Sequence, residues 1–156
     1  MIEDLDVQIR KALAAVVAAN VDPEARVFDY WVLGYEAQQW LGLVRKADGL
    51  AHGYILTRRQ AGQISDGAAT DQLWNYTLVG IHSYFHADDD QARSEDIFSK
   101  EIDQLILAFK PDKIFQLESG DEIRYGDNQV VVDLFPFGIE LAHYATFDLE
   151  VKFSIC

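Results

Sequence analysis

The chain has 156 residues, 49% hydrophobic and 25% charged, and this composition suits one globular domain spanning residues 1–156. Its 26 acidic and 13 basic residues give a net charge of −13, which argues against a protein that binds nucleic acid through a basic surface. No apolar run is long enough to cross a membrane, and a single cysteine, Cys156, excludes a disulfide or a cysteine-based zinc site within these residues.

The first part of the chain predicts a helix followed by extended structure. Apolar residues recur at helical spacing over residues 2–19, and Asn20 is a suitable stop for this amphipathic helix. Residues 26–35 predict a short strand, and residues 36–46 favour a short helix.

The middle of the chain predicts two strands around a loop. Residues 54–57 are typical of a strand, and residues 60–71 are rich in Gly, Ser, Asp and Ala, which predicts a flexible loop. Residues 73–86 are apolar with little polar alternation, which indicates a central strand buried on both faces.

A second amphipathic helix is predicted over residues 94–109, with Ser94 as its N-cap. After it, residues 114–117 and 130–135 predict strands, and Gly126-Asp127-Asn128 predicts a turn between strands. Residues 141–155 alternate strictly between apolar and polar side chains, which predicts a long strand with one buried face.

Two helices beside a run of strands predict an α+β fold. We expect a mainly antiparallel β-sheet with two α-helices packed on one face.

The residue types that catalysis and metal binding use have simpler structural explanations in this sequence. His82 and His86 lie four apart on a predicted strand, about 13 Å along its axis, which is too far for two ligands of one metal ion. We interpret them as strand-end histidines followed by an acidic turn at residues 88–90 that precedes the helix, and His143 as an inward-facing histidine. With no Gly-x-Ser-x-Gly elbow and no phosphate-binding loop in the sequence, we expect no catalytic, cofactor-binding or metal-binding residues and a protein that is not an enzyme.

Some aromatic and charged residues suit contacts between subunits instead. Tyr and Trp are favoured at protein interfaces, although the aromatic cluster that begins at Phe28 also suits a core. The last strand carries charged residues on its polar face. The candidate interface residues are Trp31, Tyr35, Trp40, Arg58, Arg59, Asp148 and Glu150.

In the order of its elements the chain resembles the tail-terminator or tail-completion (neck) proteins of tailed bacteriophages and prophages. Three stretches carry the resemblance: a strand followed by a polar loop (residues 53–59), a long strand before an acidic turn and helix (residues 74–81), and the closing strand (residues 143–151). The resemblance implies a tail-terminator-like fold and a structural protein of the virion, assembled in the host cytoplasm.

The same resemblance implies a homohexameric ring. Such a ring would cap the tail tube protein and join it to the head connector or adaptor proteins. DNA would pass through the ring without being specifically bound.

Two other hypotheses remain from the residues. One is a small-molecule-binding or enzymatic α+β domain that uses the open face of the sheet. The other is a different head–tail joining protein or an adaptor, the latter for instance a monomeric regulator that acts as an acidic DNA mimic. A ligand cavity would favour an apolar outer face on the last strand, whereas that face carries Asp148, Glu150 and Lys152.

Overall fold

The structure is a computed structural model that describes residues 2–29, 41–47, 49–56, 63–64, 71–84, 93–137 and 140–154. These residues form one twisted sheet with two long helices on one of its faces. Predictions that fall on residues 30–40, 57–62, 65–70, 85–92, 138–139 and 155–156 lie outside the described residues.

The first long helix, α1 (Ile2–Asn20), buries one side against the sheet. Ile9, Leu13 and Val17 recur every four residues, so they share one helix face, and all three are fully buried. The Asn20 side chain donates a 2.8 Å hydrogen bond to the Val16 carbonyl oxygen in the last turn, and the helix ends there as predicted.

The second long helix, α2 (Ser94–Ala108), packs beside α1 and buries Phe98, Ile102 and Leu105. The prediction that Ser94 is the N-cap is wrong. Arg93 occupies the cap position with extended backbone angles and makes no side-chain capping bond, and Ser94 is the first helical residue. Neither described long helix is apolar enough to serve as a membrane span.

The described residues form seven strands: β1 (Arg26–Phe28), β2 (His52–Leu56), β3 (Gln63–Ile64), β4 (Asp71–Ser83), β5 (Ile114–Gln116), β6 (Glu122–Phe137) and β7 (Glu140–Ser154). All seven belong to one sheet, in which six strands lie in the spatial order β1-β2-β4-β7-β6-β5 and the seventh, β3, also pairs with β4. Only the β1–β2 pair is parallel, so the fold is α+β with a mainly antiparallel sheet, as expected.

The predicted alternation of the last strand is confirmed for most of β7. Every second residue from His143 to Phe153 is buried under the helices, whereas Asp148 and Lys152 point to the other side and are exposed. Leu141 continues the buried series in sequence but is exposed, because it lies beyond the register pair Ser83↔Ala142 where β4 ends.

A second, smaller apolar cluster covers one end of the opposite face. A helical turn at residues 41–43 leads into Val44, which packs there with Ile55 and Ala142. This cluster explains why β4 is buried on both faces only in its second half. The first half of β4 alternates, with Trp74 and Tyr76 buried and their neighbours partly exposed.

Two expectations about irregular segments are wrong. Within the predicted flexible loop, Gln63–Ile64 forms β3 on the edge of β4. The predicted turn at Gly126-Asp127-Asn128 lies inside β6, where the register with β7 shifts between Tyr125 and Asn128. A β-bulge accepts the extra residue without reversing the chain, so glycine here marks an irregularity of one long strand.

Candidate functional site

Three histidines form a row across three neighbouring strands. His52 of β2 pairs in register with His82 of β4, and His82 pairs with His143 of β7. The ring centroids are 4.5 Å apart for His52 and His82 and 6.3 Å apart for His82 and His143. All three rings lie almost completely buried on the face that α2 covers.

Glu101 of α2 is the acceptor at one end of this row. Its Oε1 accepts hydrogen bonds from His52 Nε2, at 2.6 Å, and from the hydroxyl of Tyr54. Its Oε2 accepts the backbone N–H of Asp22 at 3.1 Å. One carboxylate therefore joins α2 to β2 and to the segment that follows α1.

The surroundings set the ionisation of these groups. Burial alone would raise the pKa of Glu101, but the hydrogen bonds from His52 and Tyr54 favour the ionised carboxylate and hold that pKa below its ordinary value. Burial raises the pKa of Tyr54 well above its ordinary value, and the negative charge of Glu101 raises it further. Glu101 is thus a carboxylate and Tyr54 a neutral donor at neutral pH.

His82 is the neutral centre of the row. Burial lowers the pKa of His82 to about 4, although its hydrogen bond to the Ser83 carbonyl partly opposes this effect. A carbonyl oxygen only accepts, so Nδ1 of His82 carries the proton of that 2.8 Å bond.

At the other end of the row, His143 Nε2 lies 2.9 Å from the hydroxyl oxygen of Ser94. Burial lowers the pKa of His143, while the negative charge of Glu95 acts in the opposite sense. The prediction that His143 is an inward-facing histidine is confirmed, and its ring also has a hydrogen-bond partner. The Ser94 hydroxyl thus hydrogen-bonds with this histidine and does not cap the helix.

The His52–Glu101 and Ser94–His143 pairs are groups that acid–base chemistry uses, but here they are held inside the protein. Ser94 is fully buried, and two surface cavities of the described residues lie elsewhere. Among the described residues, no group of three His, Cys, Asp or Glu side chains is arranged to hold a metal ion. The arrangement holds helix and strands together by polar contacts.

A second feature lies on the surface, in the hairpin of β6 and β7. From Asn128 to Phe137, β6 pairs only with β7 among the described strands, because β5 pairs only with residues 122–124. Three apolar residues of this part of β6 are exposed: Val131, Val132 and Leu134.

The exposed apolar residues of the hairpin point to both sides of the sheet. Val132 lies opposite Ala145 and Leu134 opposite His143, so both point to the helix side, whereas Val131 lies opposite Thr146 and points to the other side. A strand with one face in contact with water would expose polar side chains on that face, whereas this part of β6 exposes valine and leucine. The hairpin therefore exposes apolar side chains on both of its faces.

The interface residues predicted from the sequence divide into two groups. Asp148 and Glu150 lie on the outer face of β7, where Asp148 accepts a 3.4 Å hydrogen bond from Thr77 and Glu150 lies 3.9 Å from the ammonium group of Lys152. The other five lie outside the described residues: Trp31, Tyr35, Trp40, Arg58 and Arg59. Two further features of the sequence also lie outside the described residues. They are His86, which was weighed with His82 as a metal ligand, and the acidic turn at residues 88–90.

The sequence interpretation missed the His52–Glu101 contact and the exposed hairpin. Two signals were present. Glu101 lies on the apolar side of α2, between Phe98 and Leu105, where a carboxylate needs a buried partner. The three consecutive valines at residues 130–132 place apolar side chains on both faces of a strand.

In comparisons with known proteins, no family model matches the chain, and no curated protein shows significant sequence similarity to it.

Proposed function

We propose that this chain is a structural subunit of a tailed bacteriophage or prophage. In this proposal it is a tail-terminator or neck protein whose copies form a ring that caps the tail tube and joins it to the head connector. The observation that carries the proposal is the β6–β7 hairpin, which exposes apolar side chains on both of its faces.

The free energy of these exposed groups favours assembly. Fully burying a valine or leucine side chain contributes about 1.5–3 kcal/mol. Contact with another subunit would remove this surface from water. Oligomers of identical chains close most often with point symmetry, which a ring satisfies.

The charge of the chain supports the same proposal. At −13, the protein would repel the DNA that passes through the ring and would not hold it in place. The element order, with a helix before the sheet, a second helix packed on it and a long final strand, also agrees with the resemblance described above.

The test is the solution mass of the purified protein by light scattering, with negative-stain images of the same sample. We expect particles of about six copies with a central hole. A strictly monomeric protein that also binds a metal ion or a small molecule would contradict the proposal.

The buried polar row favours one alternative, a small-molecule-binding or enzymatic domain. That alternative requires reagents to reach His52 and His143 in the folded protein. Labelling with diethyl pyrocarbonate, followed by mass spectrometry of each peptide, measures this access. If both histidines react as fast as they do in the unfolded chain, the enzymatic alternative gains support, whereas protection in the folded protein contradicts it.

A further inference from the structure

A pocket beside β1, the strand at one end of the described sheet order, is lined mainly by positively charged side chains. Its volume of about 470 Å³ lies within the range of about 300–1,000 Å³ that small-molecule sites occupy. Three of its described lining residues are basic and one is acidic, so this basic pocket carries +2 in a chain whose net charge is −13. The described lining residues are Glu24, Arg26, Arg45, Lys46 and Ala47.

The acidic residues nearest in sequence leave the basic pocket positive. Two of them, Asp22 and Asp48, lie within two positions of its lining residues. The Asp22 carboxylate accepts the backbone N–H of Glu24 at 2.9 Å and lies 4.0 Å from the His52 ring, and Asp22 is not among the described lining residues. Asp48 lies outside the described residues. Even if the full charge of Asp48 is added to the lining, the pocket keeps a charge of +1.

Both guanidinium groups of the basic pocket are oriented by backbone carbonyls. Arg26 Nη1 donates a 3.0 Å hydrogen bond to the Leu43 carbonyl oxygen, and Arg45 Nη1 donates a 2.6 Å hydrogen bond to that of Gly49. A carbonyl oxygen has no formal charge, so these two bonds orient the guanidinium groups without neutralising them. Each bond uses one of the five N–H donors of a guanidinium.

The backbone that carries the three cations is itself paired. Arg26 belongs to β1, which pairs in parallel with β2. Arg45 forms an isolated β-bridge with Ala51. The Lys46 N–H donates a 2.8 Å hydrogen bond to the Leu50 carbonyl oxygen. A site built on paired backbone is largely ordered before a ligand arrives, which lowers the entropic cost of binding.

Glu24 is the lining residue with which an anionic ligand would compete. Its Oε2 lies 3.9 Å from the Lys46 ammonium group, which is longer than a hydrogen bond. The Glu24 side chain is 76% exposed, whereas that of Lys46 is only 13% exposed. Exposed ion pairs contribute about 1 kcal/mol or less, so an incoming anion can displace the Glu24 carboxylate at little cost.

We propose that the basic pocket binds an oxyanion with at least two negative charges, carried by phosphate or by several carboxylates. Guanidinium groups recognise both kinds of oxyanion through pairs of N–H donors, and an ammonium group adds a point charge. This inference goes beyond the proposed function. The pocket lies beside β1, and three strands separate β1 from β6 of the hairpin in the described sheet, so the pocket and the hairpin can be tested independently.

The experiment measures the binding of two radiolabelled probes, inorganic diphosphate and citrate, by equilibrium dialysis of the full chain. This method works whatever the mass of the assembly. Arg26→Gln and Arg45→Gln each remove one cation of the pocket, and Arg124→Gln is the matched control at an exposed position of β6. All three variants have the same net charge, so the negative protein repels free anions equally in each.

We expect wild type and Arg124→Gln to bind at least one probe saturably and with the same affinity. Arg26→Gln and Arg45→Gln should bind it about tenfold more weakly, because each loses a charge-assisted hydrogen bond. Melting temperatures check that each variant is folded. Tighter binding of diphosphate than of citrate identifies the ligand group as phosphate, and the reverse order identifies it as carboxylate.

A further variant, Glu24→Gln, should bind the probe about two- to fivefold more tightly than wild type, since the competing carboxylate is gone. Partial unfolding cannot produce such a gain in affinity. The control is Glu122→Gln, an exposed residue of β6 whose replacement changes the net charge equally and should leave the affinity as in wild type.

Three outcomes overturn the inference. Wild type shows no saturable binding of either probe, or the two pocket arginine variants bind as tightly as Arg124→Gln, or Glu24→Gln binds no more tightly than Glu122→Gln. None of these measurements reports the number of copies in the assembly. The solution mass and the images of wild type therefore decide separately whether the proposed ring exists.

Discussion

At the scale of single residues, the Glu101 carboxylate joins distant parts of the described fold. It accepts hydrogen bonds from His52, Tyr54 and the backbone of Asp22, and so connects three segments that are distant in sequence. Removing it leaves buried donors without an acceptor, and each such donor costs about 1–3 kcal/mol.

Replacing Glu101 by alanine should therefore lower the free energy of unfolding by about 3 kcal/mol. Urea denaturation at pH 7 measures this loss. Glu101→Gln keeps an acceptor oxygen and should lose less. The control is Asp103→Asn, an exposed site on the same helix, which should change stability by no more than about 0.5 kcal/mol. A loss at Glu101→Ala no larger than that of the control would contradict the role of this carboxylate.

The buried histidines predict how stability depends on pH. The pKa of His82 is about 4 in the folded protein, against an ordinary value of 6.5, so between these values the unfolded chain binds more protons. Stability should then fall as the pH is lowered from 6.5 towards 4, and His82 alone contributes on the order of 3 kcal/mol to this fall. His143, whose pKa is also lowered, should add to it in the same direction.

The test compares wild type with His82→Gln, whose amide can still donate to the Ser83 carbonyl. Unfolding free energies at a series of pH values from 7 to 4 should give a flatter profile for the variant. Equal slopes for the two proteins would show that His82 does not titrate on unfolding. Below pH 4.5, protonation of Glu101 should destabilise both proteins, because its folded pKa lies under the ordinary 4.5.

At the scale of elements, the close approach of β1, β2 and the segment around Val44 depends on a glycine. A Cβ atom at Gly53 would lie 2.5 Å from Val44 Cγ1 and 2.6 Å from the Arg26 carbonyl oxygen. The second of these is a backbone atom of β1, which pairs with β2 at this residue, so it cannot move aside as a flexible side chain can.

Gly53→Ala should therefore destabilise the protein by about 1–3 kcal/mol through overpacking, measured by thermal or urea unfolding. Gly42→Ala is the matched control. Gly42 lies in the helical turn, where an added methyl group would meet no neighbouring atom within 4 Å, and alanine there should stabilise by up to about 1 kcal/mol. If both variants lost stability equally, the packing at Gly53 would not be the cause.

Elements with one buried face could be predicted from the sequence, because burial on one face imposes a period on the residues themselves. The spacing of Ile9, Leu13 and Val17 in α1 and the alternation in β7 are examples, and both elements end within one residue of the prediction. The length of β6 could not be predicted. Its bulge between Tyr125 and Asn128 places glycine inside a strand, where the sequence indicates a turn.

The candidate sites were less predictable than the elements because they depend on pairing between distant segments. The histidine row exists only through the register of β2, β4 and β7, which no local pattern encodes. The sequence associates His82 with His86, its neighbour along the chain, whereas its neighbours in space are His52 and His143. The exposure of Leu141 likewise depends on where β4 ends.

At the scale of the whole molecule, a large negative charge and an exposed apolar hairpin together predict how assembly responds to salt. Copies with a charge of −13 repel one another, and salt screens this repulsion, since the Debye length falls from about 10 Å at 0.1 M to about 3 Å at 1 M. In the proposed ring, the β6–β7 hairpin contacts another subunit through exposed apolar side chains, and such a contact loses little from screening. Added sodium chloride should therefore strengthen assembly.

This salt response separates the proposed ring from a protein held together by ion pairs or bound to nucleic acid. Light scattering at fixed protein concentration should give a larger assembled fraction at about 0.5 M than at 0.05 M salt, whereas contacts to phosphates weaken steeply over such a range. Double-stranded DNA added at low salt should leave the mass unchanged, because the protein repels it. The control is Val131→Glu, because a charge placed on the exposed hairpin should reduce the assembled fraction at both salt concentrations. Assembly that weakens with salt, or that requires DNA, would mean that charged groups form the contact, and the apolar hairpin would then need another partner.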